Sequence, residues 1–99
     1  MDLQVKHVPL NMRYEAVDGD RVAGSVMYTP SDGVLVLTHT KVDPSYEGQG
    51  VGGTLVRGAL DDVRSRGLAV VPRCPFVQGW INRHPEYVDL VRPDTAGGE

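Results

Sequence analysis

Polar and apolar positions alternate along residues 12–17 (Met-Arg-Tyr-Glu-Ala-Val), as in a strand with one face in a core and one in water. Residues 21–29 predict a second strand and Val34–Val42 a third. The third opens Val-Leu-Val-Leu, apolar on both faces, as a covered central strand would be. The turns Asp18-Gly19-Asp20 and Pro30-Ser31-Asp32-Gly33 are short enough to join the three as an antiparallel meander.

After a loop over residues 43–50 the period changes. Val51, Leu55, Ala59 and Val63 recur every fourth residue, with Gly52, Val56 and Leu60 beside them. Arg57, Asp61, Asp62, Arg64 and Arg66 fall on the other side, so residues 51–66 predict an amphipathic helix, with Gly67 as its C-terminal stop. Residues 68–71 predict a fourth, buried strand, 76–83 a short second helix ending before Pro85, and 87–91 a last strand. Residues 92–99 read as a frayed tail, and the Gly97-Gly98 pair as part of it. The fold class is mixed α/β (α+β): a mostly antiparallel sheet with one long and one short helix, in a single domain over residues 1–99.

Composition narrows the function classes. Ninety-nine residues carrying 40% hydrophobic and 23% charged side chains suit one soluble globular domain. No apolar run approaches the ~20 residues of a membrane span, and the N-terminus lacks a signal-peptide pattern. Thirteen acids against ten bases give a net charge of −3, without the basic excess of a nucleic-acid binder. The single cysteine, Cys74, has no intramolecular partner, so a reducing cytoplasm is the expected compartment. No two histidines have metal-ligand spacing, and no metal site is expected. The oligomeric state is not set by the sequence; a monomer is the expectation.

The stretch Glu47-Gly48-Gln49-Gly50-Val51-Gly52-Gly53-Thr54 joins a strand to the start of the main helix. Glycines there let backbone N–H groups crowd together, and a helix start adds unpaired amides and partial positive charge, which together suit a phosphate or pyrophosphate. Gly52 and Gly53 lie inside the helix, where each costs ~1 kcal/mol relative to alanine, so close approach of a ligand is the expected reason for them. The spacing fits Gly-x-Gly-x-x-Gly, but no acid ends the strand after the helix, as a dinucleotide site needs. No Gly-Lys-Ser/Thr follows, as a triphosphate loop needs.

These residues, from Val42 to Val56, resemble the acyl-CoA pyrophosphate motif of the GNAT N-acetyltransferase superfamily. The order of meander, Gly-rich turn, helix, strand and helix is similar to that superfamily's core, over residues 12–91. His39-Thr40 in the third strand and Pro72-Arg73-Cys74 after the fourth resemble its minimal single-domain branch. The resemblance implies acetyl-CoA bound by Val42 and by Gly48, Gln49, Gly50, Val51, Gly52, Gly53 and Thr54, and transfer of the acetyl group to a primary amine. It departs from the family in two places. Glu47 stands where the motif has Arg or Gln, so its carboxylate should turn to solvent. Ile81 falls near the place of the tyrosine that serves larger members as general acid.

Cys74 follows the fourth strand at the start of the second helix. It is either a small apolar packing residue or a thiol activated by the helix start and Arg73 that takes or orients the acetyl group. His39 follows Leu35 and Leu37 in the central strand and is the candidate base; His84 ends the second helix. Phe76, Trp80, Ile81 and Tyr87 are expected to seal the core. A non-catalytic CoA-binding module is the alternative to an enzyme, and a protein-interaction domain a third reading.

Overall fold

Alternation begins earlier than residue 12. A computed structural model describes residues 2–94, and in it Leu3–Val8 forms the first strand, β1, with Leu3, Val5 and His7 directed inward and Gln4 and Lys6 outward. It is followed by β2 (Arg13–Asp18), β3 (Arg21–Ser31) and β4 (Val34–Val42), all paired antiparallel. The helix α1 (Val51–Ser65) then crosses over to β5 (Ala69–Pro72), which lies parallel to β4. The sheet order is β1-β2-β3-β4-β5, so the predicted meander stands and gains β1 at its edge. The second helix, α2, spans Pro75–Asn82.

The C-terminal segment differs from expectation. Residues Pro85–Leu90 form a 3₁₀ helix instead of a strand: Pro85 opens it and Tyr87 and Leu90, three apart, turn into the core. Among the described residues a single bridge, Val70 to Val91, continues the sheet there. Residues 92–94 are tied down, with the Arg92 N–H on the Val70 carbonyl at 2.8 Å and the Arg73 guanidinium on the Asp94 carboxylate at 2.8 and 3.0 Å. The Gly97-Gly98 pair lies outside the described residues.

One face of the sheet is covered by both helices. Val51, Leu55, Val56, Ala59, Leu60 and Val63 of α1, with Val77, Trp80 and Ile81 of α2, pack onto Tyr14, Ala16, Val26, Leu35, Leu37 and Val70. Ile81 is thus core, and no tyrosine stands in its place. Among the described residues no helix is long and apolar enough to cross a membrane, and no cluster of side chains suits a metal.

A β-bulge fixes what the central strand presents. Tyr28 pairs with Leu37 but Met27 pairs with His39, so Thr38 is the extra residue. Before the bulge Leu35 and Leu37 face the helices. After it the phase is inverted: Thr40 pairs with the fully buried Val26 on the helix side, and His39 pairs with the exposed Met27 on the outer side.

Candidate active site

The loop after β4 is anchored before it reaches the glycines. The Asp43 N–H bonds the Ala23 carbonyl at 2.8 Å, and the Asp43 carboxylate accepts the Ser45 N–H at 2.9 Å and hydroxyl at 2.7 Å. Those bonds from Ser45 hold the Asp43 carboxyl below its ordinary acidity range. Tyr46 is buried, its hydroxyl donates to Asp18 at 2.8 Å, and the Arg21 guanidinium lies 5.2 Å from its ring centre.

Beyond this anchor Gly48 and Gly50 adopt φ of +79° and +77°, a region that costs other residues about 1–2 kcal/mol. A Cβ at either would meet nothing within 4 Å, so both face open space. That space is a cavity of about 270 Å³ bounded by Val42, Glu47, Gly48, Gly50, Val51, Gly52, Gly53 and Phe76. The first amides of α1, at Val51, Gly52 and Gly53 beside this cavity, have no acceptor within the helix. Two of the predicted amides serve the fold instead: Gln49 N–H bonds the Tyr46 carbonyl at 3.3 Å, and Thr54 N–H bonds the Gly50 carbonyl at 3.1 Å. The cradle therefore narrows toward Gly50–Gly53, and Glu47 is exposed at its rim.

The helix glycines have a packing reason that the sequence reading did not supply. A Cβ on Gly52 would come within 2.6 Å of the Phe76 ring, and one on Gly53 within 3.3 Å of the Trp80 indole nitrogen. They let α2 lie close against α1. Phe76, expected in the core, is 42% exposed and forms a wall of the cavity.

β4 and β5 are paired from Val34–Ala69 to Leu37–Pro72, and the ladder stops there. The chain turns at Arg73, the Cys74 N–H closes onto the Leu37 carbonyl at 3.0 Å, and α2 leads away. β4 continues through Thr40 to Val42 at the cavity, paired with β3 but no longer with β5. Cys74 lies in this gap, 5% exposed, with its sulfur 3.2 Å from the Thr40 hydroxyl. Burial opposes ionisation of the thiol, but the Thr40 hydroxyl and the amides of Val77, Phe76 and Thr40 outweigh it, and its pKa is lowered.

Arg73, expected to activate Cys74, and His39, expected as the base, are both directed elsewhere. Arg73 turns to Asp94. His39 is exposed on the outer face because the bulge rotates it away from the line of Leu35 and Leu37. His84 is held by its own helix: its Nδ1 lies 2.7 Å from the Trp80 carbonyl and its ring stacks on the indole at 3.8 Å. Thr40, noted in the sequence only as half of a His-Thr pair, is the side chain that meets the thiol.

The fold that carries this turn also occurs in solved structures. The solution structure of a GCN5-like protein from Staphylococcus aureus superposes with a TM-score of 0.68 at 22% identity, covering 91% of this chain and 88% of that one. The GNAT family acetyltransferase from Brucella melitensis, solved with acetyl-CoA, gives 0.56 at 23% identity over 73% of this chain. The ribosomal-protein-S18-alanine N-acetyltransferase from Escherichia coli gives 0.54 at 24% identity over 59% of this chain. The chain spans only 50% and 38% of the Brucella and Escherichia proteins. These likenesses establish the fold, and no curated protein matches the chain. Residues 13–90, from β2 through the last 3₁₀ helix, match the family model for GCN5-related N-acetyltransferases, and the chain belongs to that family.

Proposed function

We propose that the chain transfers an acetyl group from acetyl-CoA to a primary amine, by way of Cys74. The observation that carries this reading is the order of groups along β4. Val42 borders the amide-lined cavity, and Thr40, two residues back and roughly 7 Å away, touches the Cys74 sulfur. A pyrophosphate held at Gly50–Gly53 would send its pantetheine arm along the unpaired edge of β4, with the thioester toward Cys74. The Thr40 and Val42 main-chain groups on that edge are suited to hold the arm and polarise the carbonyl.

The Cys74 thiolate attacks the thioester carbon, forming a new S–C bond as the C–S bond to CoA breaks. CoA leaves as a thiolate and takes a proton from solvent. A neutral amine then forms an N–C bond, the S–C bond breaks, and Cys74 returns to thiolate. The amine's surplus proton passes to His39 or to water. His39, exposed on the outer face opposite the helices, would serve this step for an acceptor that approaches from that side.

The test is incubation of the chain with acetyl-CoA alone and then with a panel of amines. The expected result is an acetyl adduct on Cys74 by mass spectrometry with thiol release, discharged when an amine is added. CoA-induced shifts at the turn without thiol release under any condition would instead establish a CoA-binding module.

A further inference from the structure

We propose that Thr40 is the positioning residue that fixes the Cys74 sulfur in the gap between β4 and β5 and presents it to the thioester. The proposal rests on the Cys74 reading above and adds to it the device that aims the sulfur.

Three observations carry it. First, the bulge at Thr38 inverts the phase of β4, and its effect is to bring Thr40 rather than His39 to the inner face. A regular strand would place His39 beside Cys74 and Thr40 against solvent. Second, the contact is direct, with Oγ1 and Sγ 3.2 Å apart across elements 34 residues apart in sequence. Third, Cys74 is also fixed through its backbone, by its N–H on the Leu37 carbonyl, one residue before the bulge. Main chain and side chain of Cys74 are thus both referenced to β4 on either side of the same irregularity.

The chemistry follows from the donor. A threonine hydroxyl can donate to a thiolate and, with Sγ protonated, accept from it, so it holds the sulfur in both states of the reaction. Its β-branched χ1 is stiff, which keeps Oγ1 aimed. The surrounding charges are directed elsewhere. On β4, His39 and Lys41 lie on the outer face; after β5, Arg73 is paired with Asp94; from α2 the groups that face the sulfur are the amides of Phe76 and Val77. The hydroxyl is the side chain that substitution can remove without altering a charge.

The experiment measures the rate of Cys74 alkylation by iodoacetamide against pH in the full chain, which needs neither acetyl-CoA nor an acceptor. Thr40→Val should move the profile to higher pH and lower the rate near neutrality by about tenfold, the size expected for loss of one hydrogen bond to a charged group. Thr40→Ala should do the same, and Thr40→Ser, which keeps the hydroxyl, should restore most of the wild-type profile. CoA-induced shifts of the Gly50–Gly53 amides should be unchanged in all three variants. In acetyl transfer, Val and Ala variants should lose kcat with KM for acetyl-CoA retained. A wild-type alkylation profile in both Thr40→Val and Thr40→Ala overturns the assignment, as does a Thr40→Ser profile no better than that of Val. A shifted profile in a chain that transfers no acetyl group would overturn the proposed reaction and support the role of Thr40.

Discussion

Phe76 lies directly over Gly52: a Cβ built on that glycine would stand 2.6 Å from the tip of the phenyl ring. The contact joins the first turn of α1 to the first turn of α2 and forms one wall of the cavity at the turn. Gly52→Ala forces the ring to move. Because Phe76 is 42% exposed and the clash is with its far end, it can swing outward. Alanine also gains ~1 kcal/mol of helix propensity. Thermal stability is therefore expected to hold within a few degrees while CoA affinity falls. Calorimetry and a CoA titration of the same variant separate the two effects.

Gly58 is the contrasting case on the same helix. A Cβ there would lie 2.6 Å from the Val5 Cβ and from one of its methyls, and 2.8 Å from the other. Val5 is β-branched and sits in β1, so relief requires the strand to retreat. Gly58→Ala should destabilise the chain by roughly 1–3 kcal/mol, the usual cost of overpacking, in spite of the gain in helix propensity. Urea unfolding would show the loss, and CoA-induced shifts at the turn should persist in the folded fraction.

The sequence disclosed the turn, α1 and the order of elements from β2 to α2 because each rests on local signals. Period-four apolar spacing made α1 legible, and glycines after a strand made the turn so. β1 was legible in principle, since Leu3, Val5 and His7 alternate with Gln4 and Lys6. Its third inward residue is a histidine, which reads as polar until Tyr28 and Tyr14 are seen to satisfy it, at 2.6 Å from Nε2 and 4.5 Å between rings. The bulge at Thr38 has no local signature. It depends on how Met27 and Tyr28 pair across the sheet, so the exchange of His39 for Thr40 beside Cys74 could not be read along the chain. The packing role of Gly52 and Gly58 was hidden for the same reason: the partners are Phe76 and Val5, far away in sequence.

His7 makes stability depend on pH. Burial lowers its pKa from 6.5, the Arg66 guanidinium lowers it further, and Asp62, 3.9 Å from Nδ1, pulls the other way without prevailing. Tyr28 and Tyr14 complete its surroundings. With the folded pKa below the unfolded one, the unfolded chain binds the proton first. The contribution is full above about pH 6.5 and is lost as pH falls from there through the folded value. Asp62, whose carboxyl is also depressed on balance, has the same sign in a lower window, beneath 3.8. Melting temperature should decline as pH falls below 6.5, and His7→Phe should flatten that limb. A wild-type curve level across it would contradict this account.

Gly50 combines a left-handed backbone with open space. Gly50→Ala should cost about 1–2 kcal/mol of stability, because φ of +77° disfavours any Cβ although nothing crowds it. Gly50→Glu adds a carboxylate at the mouth of the cavity, where it repels a pyrophosphate and fills its place. CoA-induced shifts should vanish in Gly50→Glu and persist, weakened, in Gly50→Ala. Retention of wild-type affinity by the glutamate variant would move the anion site away from this turn.

Cys74 and His39 lie on opposite sides of the gap, so substitutions should divide the reaction between them. Cys74 faces the helices, where the proposed reaction would bring the thioester, and His39 lies on the exposed face with Met27. Cys74→Ala removes the proposed nucleophile. The acetyl adduct and the burst of thiol release should disappear, turnover should fall by several orders of magnitude, and CoA affinity should remain, since the turn is untouched. Cys74→Ser keeps size and hydrogen bonding, but a serine hydroxyl is far less ionised than a thiol, so it should resemble alanine. His39→Gln leaves the inner face intact. It should show a normal burst and a normal adduct, followed by slow discharge to the amine, with the deficit shrinking as pH rises and more amine arrives unprotonated. Loss of the burst in His39→Gln would place the histidine in the first step and require β4 to run without its bulge when acetyl-CoA binds. Full turnover in Cys74→Ala would make transfer direct, from thioester to amine, and leave the thiol a packing residue.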